Sequence, residues 1–361
     1  MTLASMKQKA ATILRLNGQG LIEPLNHAED CVRRCVGIQT QYSQSLPIAV
    51  AARTMPKPPE WFAKALEIGG PLRKTWTMRW SLHTVHEDDI PLLVSALGRR
   101  FHERFVTQTT KHFGISPADL RKREEKVWKA IREHPLTRKQ LHERVTELKG
   151  LPGAGWGWDV AGLAYEGRLY ISSHHGATTF VAVEPPKLLE EVFAQGELLK
   201  RYLKAFQPAT RLDMQRWSGL HLSSIDSALE AIANDIEWIR LEEGKDRFAI
   251  LRGAEEAEQK AQSVQLLAKF DPYVMSHKDK SLYLSDRDYA KVFRPAGQVE
   301  ACVLMDGVIC GTWRAERKGK HMTVRVETFR GFSKRVRERV EREAEGVRIA
   351  LGAESVECVF A

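Results

Sequence analysis

Pro208-Ala209-Thr210-Arg211-Leu212-Asp213-Met214-Gln215-Arg216-Trp217-Ser218 is the stretch whose reading decides the fold. Pro208 breaks the helical pattern before it, and Thr210 is placed to cap a helix over Arg211–Ser218. Upstream, Glu197–Phe206 carries apolar residues at helical spacing. Downstream, Ser223 or Ser224 is the expected cap of a helix Ile225–Asn234. Ile236–Leu241 and Arg247–Leu251 then read as a hairpin around Glu242-Glu243-Gly244-Lys245.

The same order occurs once more, earlier in the chain. Val127–His134 reads as a helix, Pro135-Leu136-Thr137 as a turn, and Thr137 as the cap of Arg138–Thr146. A glycine-rich turn from Gly150 to Gly157 leads into a helix Trp158–Glu166, and Arg168–Ser172 with Thr178–Val183 reads as a hairpin. Helix, Pro-x-Thr turn, helix, helix and two-stranded wing is the order of a winged helix-turn-helix. Its repetition is stronger evidence than either copy alone.

The flanking regions differ. Residues 1–126 read as mostly helical: Ala28–Val36, a helix opened by Ser45-Leu46-Pro47 and running through Ala52, and Trp61–Ile68 closed by Gly69-Gly70. Leu82–Val85 resembles a short strand, and Asp88-Asp89 starts a helix that continues beyond Arg100. Ala254–Gln265 reads as a connecting helix. From Leu266 the pattern changes to strands, at Leu282–Leu284, Glu300–Met305, Val308–Trp313 and Met322–Phe329. A helix Gly331–Glu345 and a last strand Val356–Phe360 follow. The prediction is an α+β fold, mainly α, of tandem winged helix-turn-helix units followed by a small C-terminal β-barrel. The expected segments are 1–126, 127–190, 191–262 and 263–361.

Charge points to an anionic partner. Among 361 residues, 55 Lys and Arg stand against 46 Asp and Glu, a net charge of +9. Basic side chains on one face release condensed counterions from a phosphate backbone. Residues 97–126 hold eight Lys/Arg against four acids, and 313–342 hold eleven against four. In the second stretch, Arg317, Lys318 and Lys320 surround Gly319 at an expected hairpin tip, where they can follow phosphates or enter a groove. A solvated helix face accounts for Arg337–Arg342 equally well.

The composition also excludes chemistry. There is no glycine-rich dinucleotide or phosphate loop, no His-Glu-x-x-His and no nucleophile-elbow pattern. The five cysteines (Cys31, Cys35, Cys302, Cys310 and Cys358) lack metal-ligand spacing, so reduced thiols and no structural metal are expected. No cofactor is implied. His174-His175, His83 and His86 read as structural or exposed rather than metal-binding. Lys7, Lys9 and Arg15 interrupt any leader-like segment, and no apolar run reaches the ~18 residues of a membrane span. A cytoplasmic monomer with no membrane partner is expected.

Val36-Gly37-Ile38-Gln39-Thr40-Gln41-Tyr42-Ser43-Gln44 stands out, because it places polar amides between two apolar helices. On a continuous helix Gln39 and Gln41 would point about 200° apart. They converge only if the chain is extended or turning, which Ser43 or Ser45 as the next N-cap would support. Buried amides need partners, either structural bonds or water and substrate.

Gly37-Ile38-Gln39-Thr40-Gln41, followed by Arg53, resembles the Q-x-Q signature of the winged-helix DNA glycosylases of the AlkZ/YcaQ superfamily. Further blocks match in the same order. Thr75-Trp76-Thr77-Met78-Arg79-Trp80-Ser81-Leu82-His83 is similar to the family's T-W-x-x-R-G-T-x-H. Trp217-Ser218-Gly219-Leu220 matches W-S-G-L, and Phe270-Asp271-Pro272-Tyr273 matches F-D-P-Y. Asp306-Gly307-Val308-Ile309-Cys310-Gly311-Thr312-Trp313 matches D-G-x-x-x-G-x-W. The likeness runs from about Ile13 to Val359, and its order makes it specific.

The resemblance implies three tandem winged-helix units, the first within residues 1–126, and hydrolysis of the N-glycosidic bond of alkylated purines in double-stranded DNA. Bulky adducts and interstrand crosslinks are included. It implies Gln39 and Gln41 as the pair that holds a water. Arg79, and from the charge reading Arg317, Lys318 and Lys320, are the expected DNA contacts. Relatives with Q-x-D carry a carboxylate second, so Gln41 places the chain with the AlkZ-like branch. One departure is Trp80, where the family has glycine; packing is its expected role. A non-catalytic winged-helix regulator and a basic interaction module are the competing readings. The lack of any dimerisation or effector part weighs against the first.

Overall fold

A computed structural model describes residues 3–174, 177–242, 244–254 and 263–361. The chain divides into two compact units, each discontinuous in sequence. One holds Met1–Phe62, Leu199–Trp217 and Ile232–Ala361; the other holds Ala63–Leu198 and Ser218–Ala231.

The first unit is assembled from both ends of the chain. Leu16, at the end of the helix Gln8–Gly18, and Leu21 share a buried core with Leu267, Phe270, Tyr273, Val274, Leu304 and Ile309. The sheet behind that core has five strands in the order Ser355–Phe360, His321–Thr328, Val308–Lys318, Ala301–Met305 and Val264–Leu267. Only Ser355–Phe360 runs parallel to its neighbour, and the helix Lys334–Leu351 makes that crossover. The expected β-barrel is therefore an open half-barrel sheet, because its two outer strands do not pair with each other. Asp306 (φ 50°) and Gly307 (φ 82°) form the tight turn between Ala301–Met305 and Val308–Lys318. Two positive φ angles match the twist of antiparallel strands. Leu282–Leu284 is a turn rather than a strand. Tyr283 and Leu284 are apolar because they fill the core.

The hairpin Ile236–Leu241 with Arg247–Leu251 forms as expected and gains a third, parallel strand, Ala4–Met6. Thr210 caps Arg211–Ser218, its hydroxyl accepting from Asp213 N at 3.1 Å while Asp213 returns a carboxylate to Thr210 N at 2.8 Å. Residues 255–262, most of the expected connecting helix, lie outside the described residues, as do His175 and Glu243. Val264 and Gln265, at the end of that segment, belong to the strand Val264–Leu267.

At the centre of this unit lies a buried ion pair. Arg53 and Asp271 both have side-chain exposures of 0%. The guanidinium binds the carboxylate through two bonds, Nη1 to Oδ2 at 2.9 Å and Nη2 to Oδ1 at 2.6 Å. Arg53 also donates to Ala49 O and Gln19 Oε1, and Asp271 accepts from Tyr273 N. Burial opposes the Arg53 charge, but the adjoining Asp271 more than compensates and holds its pKa above the ordinary value.

In the second unit, Leu82–His86, Leu72–Trp76, Leu169–His174 and Ala177–Ala182 form an antiparallel run of strands. The helices of this unit include Arg99–Phe113, Pro117–Glu133, Arg138–Arg144, Ala161–Tyr165 and Leu222–Ala231, and of these Pro117–Glu133 and Ala161–Tyr165 pack on the strands. Thr137 caps Arg138–Arg144 in a reciprocal pair with Gln140, as expected. Several boundaries differ. Val127–His134 is the second half of a longer helix that Ser116 caps. Ser223 and Ser224 lie inside their helix, which starts at Leu222, so neither is its cap. The helix expected from Asp88-Asp89 is broken by a wide π turn at Val94–Gly98 before Arg99–Phe113 begins. Gly98 packs against another backbone there; a Cβ would lie 2.3 Å from Tyr165 O. No helix among the described residues is long and apolar enough to cross a membrane.

The stability of the first unit should respond to two of its buried groups. Arg53→Met should destabilise it by ~3–5 kcal/mol, because Asp271 is left charged and dry, and adding Asp271→Leu should recover part of that loss. Urea unfolding midpoints check this; a single variant as stable as the parent would remove the pair from its central role. The second group is His277, fully buried, with Nε2 donating to Phe206 O and Nδ1 accepting from Ser276 Oγ, both at 2.8 Å. Burial first, then the charge of Arg15, holds its pKa well below the ordinary histidine value. The unfolded chain then binds the proton more readily, so stability is complete above about pH 6.5 and falls as the pH drops. His277→Gln should flatten that acid slope in thermal melts between pH 7 and 4; an unchanged slope would refute the assignment.

Candidate active site

The helix Ala28–Arg34 ends by closing on itself. Val36 N bonds to Arg33 O and Gly37 N to Val32 O at 2.8 Å, with φ of 53° at Val36 and 98° at Gly37. Two left-handed residues in a row redirect the chain out of the helix. Ile38–Gln39 is extended, residues 41–44 bend, and Ser45 N closes the turn on Tyr42 O at 3.0 Å before the helix Ser45–Ala51.

This path brings the two glutamines together. Gln39 Nε2 donates to Gln41 Oε1 at 2.7 Å. Gln39 is buried (4% exposed), whereas Gln41 lies open to solvent. The expected cap differs. Gln44 occupies the N-cap position without a side-chain bond, and the Ser45 hydroxyl donates instead to Lys269 O at 3.0 Å. The Ser45 side chain thus ties the turn to Lys269 instead of capping its own helix.

Tyr42 adds to that anchoring. Its hydroxyl donates to Gln298 Oε1 at 2.6 Å, and its ring stacks on Phe270 with centroids 6.0 Å apart and planes 18° apart. The Lys269 ammonium lies 5.1 Å from the same ring and pairs with Glu300 at 3.0 Å. No local pattern in the sequence marks Tyr42 or Gln298, which are 256 positions apart. The Phe270-Asp271-Pro272-Tyr273 block is the one sequence signal in this neighbourhood.

The hairpin tip lies in the same unit. Arg317 Nη1 donates to Leu351 O, the last turn of the helix Lys334–Leu351, and its Nε to Gly319 O, both at 2.9 Å. Lys320 meets Glu354 at 2.5 Å with side-chain exposures of 78% and 64%, and Lys318 is exposed. Contacts so wet contribute little, about 0–1 kcal/mol for an ion pair, and exchange readily for a phosphate.

Arg79 belongs to the second unit. It sits at the tight turn Met78–Trp80, where Arg79 (φ 56°) and Trp80 (φ 61°) are both left-handed. Arg79 Nη2 lies 3.2 Å from His83 Nε2, and His83 Nδ1 lies 2.9 Å from Ser81 O. Only one neutral tautomer fits: Nδ1 donates to the carbonyl and Nε2 accepts from the guanidinium. Burial, and then the Arg79 charge, push the His83 pKa down to about 3. The Trp80 ring stacks on Tyr165 at 6.2 Å, meets Trp158 edge-on and carries the Arg104 guanidinium at 4.5 Å. These contacts pack the ring within the second unit. The left-handed backbone explains why glycine suits this position in the resembling family, since a side chain there costs roughly 1–2 kcal/mol.

The family model described as DNA glycosylase AlkZ-like matches residues 32–348. A relative from Streptomyces sahachiroi, named interstrand DNA cross-link repair glycosylase, is 26% identical over 307 residues, covering 79% of this chain and 81% of that protein. The solved structure of Streptomyces sahachiroi DNA glycosylase AlkZ superposes with a TM-score of 0.81 at 23% identity, over 98% of this chain and 100% of that one. At that identity the superposition speaks for the fold. The family match covers well over half of the chain, and the chain belongs to the AlkZ-like DNA glycosylase family, enzymes that hydrolyse N-glycosidic bonds in DNA.

Proposed function

We propose that this glycosylase releases N7- or N3-alkylated purines from duplex DNA, bulky adducts and interstrand crosslinks included, with a water held by Gln39 and Gln41. The observation that carries the reading is the 2.7 Å bond between the two amides, one buried and one open to solvent. Alkylation at N7 or N3 makes the purine cationic. When the C1′–N bond breaks, its electron pair neutralises the ring, and the base departs without an acid. Water adds its oxygen to C1′ and releases a proton to solvent. A carboxamide cannot take that proton, but it can donate and accept hydrogen bonds and so fix where the water stands. The bond fixes Gln39 against Gln41, and Gln41 presents the pair to solvent. The crosslink part of the proposal draws on the name of the Streptomyces relative.

Three tandem winged helices, within 1–126, 127–190 and 191–262, would hold the duplex. The helix, turn, helix, helix and hairpin order at 117–182 and at 191–251 supports this. Arg79, Arg317, Lys318 and Lys320 would contact phosphates, and the protein would act as a monomer without a cofactor.

Single-turnover assays on duplexes carrying N7-methylguanine, and on a nitrogen-mustard crosslink, test the mechanism. Gln39→Ala with Gln41→Ala should slow base release by about 10²-fold, with DNA affinity retained. Equal rates in parent and variant would remove the glutamines from the mechanism. For the hairpin, replacing Arg317, Lys318 and Lys320 by alanine should reduce the slope of log affinity against log salt by about 0.9 for each phosphate no longer neutralised. An unchanged slope would show that the tip does not touch DNA.

A further inference from the structure

We propose that Tyr42 is a positioning residue for the Gln39–Gln41 pair, clamped by Gln298 and by the Lys269–Asp271 segment. This inference rests on the glutamine-held water. Gln41 to Gln44 are four consecutive exposed residues, and they need outside support to keep one geometry. Within the turn, Ser45 N bonds to Tyr42 O. The side-chain contacts that brace it come from far along the chain.

Those remote contacts grip both ends of the turn. At one end, Tyr42 is fixed by its 2.6 Å bond to Gln298 and its stack on Phe270. At the other, Ser45 donates to Lys269 O. Phe270 is itself rigid: it is 5% exposed, has a φ of 57°, and directly precedes Asp271, which Arg53 and Tyr273 N hold in place. The support runs from the buried ion pair to Phe270, from Phe270 to the Tyr42 ring, and from Tyr42 through one peptide to Gln41. Tyr42 is 41% exposed, so its ring is held at the surface by these contacts and not by burial. Without them Gln41 would keep its bond to Gln39 only part of the time, and displacement of the attacking group by about 1 Å costs on the order of 10²-fold in rate.

The experiment compares Tyr42→Ala, Tyr42→Phe, Gln298→Leu and the Tyr42→Phe/Gln298→Leu double variant on N7-methylguanine duplex. It reads the single-turnover release rate, the Kd for the same duplex, and deuterium uptake across residues 38–45. Tyr42→Ala should lower the rate by about 10²-fold with Kd unchanged. Tyr42→Phe and Gln298→Leu should each lower it by about fivefold, as expected for removal of one hydrogen bond, and the double variant should be no slower than either single. Deuterium uptake across 38–45 should rise in Tyr42→Ala.

An unchanged rate in Tyr42→Ala overturns the proposal. So does a weakened Kd with an unchanged rate for bound DNA, which would make Tyr42 a DNA contact. Additive single effects overturn the Tyr42–Gln298 link. A parent enzyme inert on both lesions sinks the glutamine-water reading instead. The clamp then stands or falls on deuterium uptake: faster exchange in Tyr42→Ala keeps it, and unchanged exchange ends it.

Discussion

Two opposite charges without any exposed surface set the frame of the first unit. Moving an ion out of water costs several kcal/mol, and the attraction between Arg53 and Asp271 offsets that only because the geometry leaves little unsatisfied. The fork of the guanidinium meets both carboxylate oxygens, and Ala49 O, Gln19 Oε1 and Tyr273 N take further positions. Such a pair adds less to net stability than well-packed apolar groups would. Its stronger effect is on registration. The end of the helix Ser45–Ala51 and the loop before Pro272 can meet in one way only, over a separation of 218 positions.

On the proposed mechanism, the glutamine turn inherits that constraint. A glycosylase acting on cationic bases needs little acid–base power, because the leaving group is already activated. What it needs is a water in a fixed place. Residues 41–44 of the proposed site are polar and exposed, and side chains from far along the chain brace them. Their rigidity is borrowed from Phe270, Lys269 and Gln298, which the sheet and the ion pair hold still. In the second unit, His83 stays neutral and steadies Arg79 through its accepting nitrogen.

Local signals in the sequence carried the element order well. Thr137 and Thr210 announced their helices because a cap is a short-range bond, and Ile236–Leu241 with Arg247–Leu251 showed strand composition around a polar turn. Leu72–Trp76 was hidden because Arg73 and Lys74 interrupt its alternation, and Val264–Leu267 because it is buried along its whole length beside a polar stretch. The open sheet read as a barrel, since strand count alone does not say whether the edges meet. Spacing showed only that Gln39 and Gln41 could converge if the chain turned, and the serine cap expected to make that turn does not form. The support beneath them was not legible: Tyr42 to Gln298 and Ser45 to Lys269 are contacts of the folded chain, with separations of 256 and 224.

The split composition of the first unit also sets an order of events during synthesis. Residues up to Phe62 leave the ribosome long before the strands between Val264 and Phe360 on which they pack. At ~5–20 residues per second, that delay lasts on the order of ten seconds to a minute. Throughout it Leu16 has no sheet to cover it, Arg53 has no Asp271, and the glutamine turn has no anchor. On the proposed mechanism, competence on DNA arrives only with those last strands, because a nascent or prematurely ended chain has no anchored glutamine turn.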